Sequence, residues 1–130
     1  MNNALPITLT TACILGIMFI WLSARVIAGR VRLQALIGDS DNDEMLFLIR
    51  THANFTEYTP IFLIILGLVE YMGGNATALT VIAVLFVIAR LLHVPGMGPE
   101  ANLKFRQAGI IGSFTTIGAA SFYGLYIALM

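Results

Sequence analysis

The residues best suited to chemistry lie between positions 50 and 60. Read as a helix, Arg50, Asn54, Glu57 and Tyr58 fall at i, i+4, i+7 and i+8, so all four side chains project from one face. At a rise of about 1.5 Å per residue, Arg50 and Glu57 stand roughly 10 Å apart along the axis. That separation is large for a direct ion pair and suits the two ends of a small zwitterionic ligand. We therefore predict a binding face, and we expect the partner of each charge to lie off this helix.

Charged residues inside long apolar segments are further candidates. A charge within a membrane helix costs about 2.5 to 3.5 kcal/mol on insertion scales, so Arg50, Glu57 and Arg90 each need a partner, a ligand or access to water. Arg50 has an alternative as an anchor at the membrane edge, since its side chain can extend toward water. His93 lies three residues after Arg90, and its simpler interpretation is a hydrogen-bonded interfacial histidine. No second His, Asp or Cys stands at ligand spacing from it, so we predict no metal site.

The acidic stretch before this helix imitates a calcium loop but lacks two of its positions. Asp39, Asp41 and Asp43 match the first three ligands of an EF-hand, whereas Glu44 replaces the glycine and Arg50 replaces the final glutamate. We expect a solvated loop without calcium. The spacing of Asp41 and Glu44 predicts a capping box at the start of the helix.

The composition indicates what surrounds these residues. Of the 130 residues, 58% are hydrophobic and 11% are charged, with a mean hydropathy of +0.89, whereas soluble domains have about 25% charged residues. We predict one all-α membrane domain, a bundle of four transmembrane helices over about residues 5–27, 45–72, 76–94 and 108–130. The net charge of zero argues against nucleic acid as a partner.

Basic residues orient these helices. All seven lie at the end of the first helix, at the start of the second or beside the connection between the third and fourth: Arg25, Arg30, Arg32, Arg50, Arg90, Lys104 and Arg106. By the positive-inside rule, the first and third connections are cytoplasmic and both termini lie on the far side.

A stripe of small residues runs along the fourth helix. It consists of Gly112, Thr116, Ala120, Gly124 and Ala128, with Gly109 and Ser113 beside it. Small residues at this spacing let helices approach closely in lipid. The stripe predicts a helix contact, either inside the subunit or between subunits.

These segments together resemble a known family. The pattern Arg50-x-x-x-Asn54-x-x-Glu57-Tyr58-x-Pro60 resembles the second-helix signature of the MAPEG family, the membrane-associated proteins in eicosanoid and glutathione metabolism. Segments 26–30, 89–93 and 104–109 extend the resemblance over the whole chain. The chain is most similar to the small bacterial members, which have short loops.

The resemblance implies a homotrimer of four-helix subunits, with glutathione held between neighbouring subunits near the cytoplasmic face. For a small bacterial member we expect the inner membrane, where the charge pattern makes both termini periplasmic. The resemblance assigns glutathione binding to Arg50, Asn54, Glu57 and Tyr58, and we count His93 as a further candidate for glutathione binding. It also implies that the adjacent chain supplies cations at Arg30 and in the region of Lys104 and Arg106, one of which stabilises the thiolate.

The chemistry of glutathione agrees with this set. Its two carboxylates need cations and its ammonium needs an anion. Its thiol, with a free pKa of about 8.5, needs a further cation to form the thiolate at neutral pH. The candidates are Arg30, Arg50 and Arg90 for the carboxylates, Glu57 for the ammonium, and Arg106 or Lys104 for the thiol. We favour Arg106 because arginine keeps its charge in an apolar site and can bind through two N–H groups.

One position departs from the family pattern. Family enzymes often carry a second aromatic hydroxyl four residues after the position of His93, where this chain has Met97 in a turn over residues 95–99. One glutathione contact is therefore missing or replaced.

These features favour a glutathione S-transferase, with glutathione peroxidase activity also open, acting on hydrophobic electrophiles or lipid hydroperoxides that arrive from the bilayer. The alternative is a non-catalytic lipid-binding or scaffolding protein of the same fold, which would have little use for Arg50, Asn54 and Glu57 together. A multidrug or proton-coupled transporter shares four helices and a membrane glutamate. It is disfavoured because the residues around Glu57 include arginines suited to anions.

Overall fold

A computed structural model describes residues 4–98 and 100–130, so the last residue of the predicted turn over 95–99 lies outside the described residues. Four α-helices account for most of the chain: α1 (Pro6–Leu33), α2 (Asp43–Tyr71), α3 (Ala76–His93) and α4 (Leu103–Leu129). Each is long and apolar enough to cross a membrane. The prediction of an all-α bundle with four candidate spans is confirmed.

Two helices are longer than the hydropathy predicts. α1 continues past the predicted end at residue 27, and α4 begins before the predicted start at residue 108. Arginines such as Arg30 and Arg32 lower the hydropathy without breaking a helix, because arginine is a good helix former. α1 ends where Gln34 adopts a left-handed backbone, with φ at 53°, and its N–H bonds to the carbonyl of Arg30. Hydropathy thus located the apolar part of each helix and missed its polar continuation.

The start of α2 differs from the predicted capping box. Asn42 is the N-cap residue, and its Oδ1 accepts the backbone N–H of Met45 at 3.0 Å. Asp41 has a left-handed backbone, with φ at 54°, and Glu44 pairs instead with Arg32 across the loop. The capping-box prediction was wrong because the Glu44 carboxylate binds a guanidinium that sequence spacing did not place beside it.

The bundle is built from two close helix pairs. α3 packs most closely against α4 and α1 against α2, while α2 also contacts α3 and α4. Phe62 of α2 and Phe86 of α3 stack in the core with ring centroids 3.8 Å apart and planes 8° from parallel. Leu15, Leu66 and Leu79 are fully buried around them. Burial of these side chains fixes which faces of α1, α2 and α3 turn inward.

Two glycines of α4 allow its close approach to α3. A Cβ atom on Gly109 would lie 2.7 Å from the Cβ of His93 and 2.9 Å from the carbonyl oxygen of Ala89, and one on Gly112 would lie 2.8 Å from the Cβ of Ala89. Thr116 in the next turn is buried as well. This part of the small-residue stripe therefore packs inside the subunit, which resolves the alternative for these positions.

At the C-terminal end of α2, a carboxylate caps α1. Glu70 Oε1 accepts the N–H of Ile7 at 2.9 Å, and its Oε2 accepts the N–H of Thr8 at 2.7 Å. The first N–H groups of a helix have no acceptor within the helix and carry partial positive charge, so the carboxylate stabilises them and joins α1 to α2. Sequence reasoning missed this contact. An acid at a helix C-terminus, where the macrodipole disfavours it, was the available signal.

Candidate functional site

A cavity of about 160 Å³ lies where the first half of α2, the end of α3 and the first turns of α4 meet. Its polar wall consists of Arg50, Asn54, His93 and Arg106. Its apolar wall consists of Leu46, Phe47, Met97 and Ile110. The cavity thus joins predicted site residues from three helices at the end of the bundle that carries the first and third connections.

Arg50 and Glu57 face one another on the surface of α2. Arg50 Nη2 lies 3.7 Å from Glu57 Oε1, and the two side chains are 54% and 53% exposed. We predicted that the partners of Arg50 and Glu57 lie off this helix. Within one subunit that prediction was wrong, because the two residues pair with each other. Although the backbones are two turns apart, both side chains are long and lean toward each other. An exposed pair at this distance contributes about 0 to 1 kcal/mol, so a ligand can replace it at little cost.

Asn54 lines the cavity, whereas Arg90 lies behind it. Arg90 is 2% exposed. Its Nη1 donates to Asn54 Oδ1 at 2.8 Å, and its Nη2 donates to the carbonyl of Gly109 at 3.0 Å and to Ser113 Oγ. The structure therefore does not bring Arg90 to the cavity as a direct contact for a ligand carboxylate. Sequence reasoning had noted Gly109 and Ser113 only as small residues and missed that α4 supplies two acceptors for this guanidinium.

Tyr58 packs within the bundle beside this group. Its ring meets that of Phe114 edge to face with centroids 5.6 Å apart, and the Arg90 guanidinium lies 5.4 Å from the ring centroid. A cation over an aromatic face is attracted by the ring quadrupole. Tyr58 is half-buried and is not part of the cavity wall. These two contacts join Tyr58 to α4 and α3 of its own subunit.

His93 is a polar residue of the cavity wall whose side chain makes no hydrogen bond to the described part of the protein. It is 3% exposed, and neither ring nitrogen has a hydrogen-bond partner among the described residues. A buried polar group without a partner costs free energy, and most such groups in native proteins are paired. Because His93 lines the cavity, its imidazole can serve a polar group of a bound molecule.

Of the two candidate cations at the start of α4, the cavity contains Arg106 and not Lys104. The backbone N–H of Lys104 donates to the N-cap Asn102 at 3.0 Å, which sets the first turn of the helix. A Cβ atom on Gly96 would collide with the backbone N of Arg106 and lie 2.6 Å from its Cα. The bare Gly96 therefore lets the third connection close on α4. The resemblance assigned this cation to the adjacent chain, whereas Arg106 lines a cavity with Arg50 of its own chain.

Arg30 is directed into the first connection. Its Nη1 donates to the carbonyl of Ala35 at 2.9 Å, of Gly38 at 3.0 Å and of Leu36 at 3.3 Å. These bonds hold the turn that follows α1. The structure does not bring Arg30 to the cavity of its own subunit.

The cavity wall has a single electrostatic character. Among the described residues that line it are two guanidinium groups and no carboxylate. The Asn54 amide has its oxygen occupied by Arg90, so it offers N–H donors. A wall of cations and donors binds anionic groups and disfavours cations.

Comparisons with known proteins agree with this fold. A family model described as the MAPEG family matches residues 8–126. The inner membrane protein YecN of Escherichia coli K12 is 22% identical over 106 residues, which cover 82% of this chain and 80% of that protein. YecN of Escherichia coli O6:H1 matches to the same extent. No solved structure matches the chain.

Proposed function

The chain belongs to the MAPEG family, and from that premise we propose that it is a glutathione-dependent membrane transferase. The observation that carries the proposal is the cavity in which Arg50, Asn54, His93 and Arg106 meet without a carboxylate. Glutathione is anionic at two carboxylates and, when activated, at sulfur. Each of these groups gains from guanidinium or N–H donors.

The ion pair beside the cavity supplies the remaining recognition element. Glu57 is the acid nearest to Arg50, at 3.7 Å, and is half exposed. The ammonium of glutathione can take the place of the Arg50 guanidinium on Glu57. Arg50 is then free to bind a ligand carboxylate. Substrate binding exchanges one weak surface pair for two charge-assisted contacts.

The size of the cavity supports a site shared between subunits. Ligand pockets commonly measure about 300 to 1,000 Å³, and this cavity measures about 160 Å³. One subunit therefore holds part of the tripeptide, and we propose that a neighbouring subunit of a homotrimer covers the rest. Arg30 of the neighbour is a candidate for that part, because its remaining N–H groups are not used by the first connection.

The proposed chemistry is attack by the glutathione thiolate. Arg106 next to the sulfur favours the thiolate over the thiol, and the thiolate is the stronger nucleophile. The sulfur forms a bond to an electrophilic carbon, and the displaced electron pair leaves with the leaving group or moves into a conjugated system. A hydrophobic electrophile reaches this site from the bilayer, and a lipid hydroperoxide is the corresponding substrate for peroxidase activity.

The same proposal includes a location. The relative YecN is an inner membrane protein, and four helices of this chain can span a membrane. We place the cavity at the cytoplasmic face, because the basic residues cluster at that end of the bundle and cytoplasmic loops are enriched in Lys and Arg.

The experiment compares Arg106→Leu with Lys104→Leu. Both residues are exposed cations in the first turns of α4, and only Arg106 lines the cavity. Full-length protein in detergent is saturated with glutathione, and the ultraviolet absorbance of the thiolate is recorded at neutral pH. We expect the wild type and Lys104→Leu to show the thiolate band. In Arg106→Leu we expect loss of the band and a fall in transfer rate of about a hundredfold, as for removal of one preorganised donor.

The outcomes separate the possible functions. Glutathione binding without a thiolate band in the wild type would overturn the catalytic proposal and favour a binding or scaffolding role. Absence of glutathione binding would overturn the proposal altogether. If the two substitutions changed the thiolate band and the transfer rate equally, Arg106 would have no specific role in stabilising the thiolate.

A further inference from the structure

We propose that Arg90 is a positioning residue that orients the side-chain amide of Asn54 so that the cavity receives hydrogen-bond donors from it. This role rests on the proposed function, because the group that meets the amide is an anionic group of glutathione. Arg90 is 2% exposed and does not line the cavity, whereas Asn54 does. Arg90 therefore acts through Asn54 and not on the ligand.

The direction of the amide follows from the chemistry of the two groups. A guanidinium can only donate hydrogen bonds, and Arg90 Nη1 lies 2.8 Å from Asn54 Oδ1. The oxygen must therefore face Arg90, because the opposite orientation would set donor against donor. The amide nitrogen then points away from Arg90, and it makes no hydrogen bond to a described residue. Its N–H groups are available to a molecule in the cavity.

The guanidinium itself is held from the opposite side by α4. Its Nη2 donates to the carbonyl of Gly109 at 3.0 Å and to Ser113 Oγ. These two contacts keep Arg90 from turning toward the ligand. They also couple the orientation of Asn54 on α2 to the position of α4, which carries Arg106. One buried side chain thus aligns two walls of the cavity.

The choice of an amide at position 54 is informative. Arg90 forms no ion pair with a described residue, and its Nε has no acceptor there. An aspartate at position 54 would compensate this buried charge better than an amide does. Stability alone therefore favours aspartate, whereas donation to an anionic ligand requires the amide, since an ionised carboxylate can only accept.

Asn54→Asp tests whether the amide of Asn54 supplies hydrogen-bond donors to the ligand. In the full-length protein in detergent, we expect this variant to unfold at or above the wild-type temperature, because it pairs with Arg90. We expect its Kd for glutathione to rise about tenfold or more, as for loss of a hydrogen bond to a charged group. Titration calorimetry with glutathione and thermal unfolding are measured on the same samples.

Ser113→Ala is the matched control. It removes one acceptor of Arg90 on the α4 side and leaves the bond to Asn54 in place. We expect a lower unfolding temperature and a glutathione Kd within about twofold of the wild type, because the Gly109 carbonyl still holds the guanidinium from the α4 side and the bond that orients Asn54 is retained. If Arg90 and its partners had a purely structural role, the glutathione affinity and the unfolding temperature would fall together in both Asn54→Asp and Ser113→Ala.

Arg90→Lys keeps the test decisive if Asn54→Asp does not fold. The lysine retains the charge, but a single ammonium cannot reach Asn54 and α4 at once in the manner of a guanidinium. We expect KM for glutathione to rise and kcat to stay near the wild-type value. Unchanged affinity in a folded Asn54→Asp or Arg90→Lys would overturn this role alone. Absence of glutathione binding to the wild type would overturn the proposed function and this role with it.

Discussion

The two ends of α2 use polar residues in opposite ways. At the C-terminal end, both oxygens of Glu70 accept backbone N–H groups from the start of α1. Near the other end, Arg50 is held by an ion pair of 3.7 Å, and both nitrogens of His93 lack a partner among the described residues. The first end is complete within one subunit. The second has donors and cations in excess of the acceptors that the subunit offers.

The difference shows how stability and binding are separated along one helix. Both oxygens of Glu70 bind N–H groups of its own subunit, so the Glu70 end contributes to folding. Unused donors around a cavity raise the energy of the empty subunit and lower that of a complex with an anion. Substitutions at the two ends should therefore change different measured quantities.

The largest effect is expected from Gly109→Ala. The new Cβ would lie 2.7 Å from the Cβ of His93 and 2.9 Å from the carbonyl oxygen of Ala89, and such overpacking costs about 1 to 3 kcal/mol. Displacement of α4 would also disturb the Arg90 contact to the Gly109 carbonyl. We expect a lower unfolding temperature together with weaker glutathione binding.

Gly118→Ala is the control for that substitution. It lies on the same helix and has nothing within 4 Å of the new Cβ, so it should keep its affinity and gain up to about 1 kcal/mol in helix propensity. If Gly109→Ala were as stable as the wild type and bound glutathione equally well, close packing of α3 on α4 would not support the cavity.

Glu70→Gln is expected to affect stability alone. The amide retains one acceptor and places a donor against the second N–H group of α1, so we expect a loss of about 1 kcal/mol, as for other helix caps. Thermal unfolding in detergent measures the loss, and the glutathione Kd should not change. Glu100→Gln, an exposed acid in the third connection, removes the same charge and should leave the unfolding temperature unchanged. A change in glutathione affinity in Glu70→Gln would show that the two ends are coupled.

Glu57→Gln should show the reverse pattern, with the smallest effect on stability. Its exposed pair with Arg50 contributes about 0 to 1 kcal/mol, so the unfolding temperature should change little. The ammonium of glutathione would lose its anion, and we expect Kd to rise about tenfold. Calorimetric titration at low and high salt measures the effect, which should shrink as salt screens the charges. A loss of stability with unchanged affinity would mean that this end, too, is complete without a ligand.

Much of the fold and part of the site could be predicted from local pattern. Long apolar segments predicted four helices, and a spacing of four residues placed Arg50 and Asn54 on one face, where both line the cavity. Arg106 was favoured over Lys104 from the chemistry of arginine, and Arg106 is the one that the cavity contains. The role of each of these residues in glutathione binding stays a prediction.

Contacts between distant segments could not be predicted in this way. The interpretation of Arg50 and Glu57 used the distance between backbone positions, whereas two long side chains close that distance. From the sequence, Arg90 was interpreted as a functional charge. The acceptors on α4 that bind its guanidinium lie far along the chain, so spacing did not reveal them. The spacing of residues along the sequence predicts which face of a helix a residue occupies. It does not predict which other helix packs against that face.

The sequence by itself determined the number of helices, the family and the polar face of α2, because hydropathy and the helical period are local properties of the chain. Only the tertiary structure decided that Arg106 and His93 share a cavity with Asn54, that Arg90 stands behind the amide, and that the Glu70 carboxylate closes the opposite end. The physical reason is that a donor is free or occupied according to the acceptors that packing brings within about 3 Å.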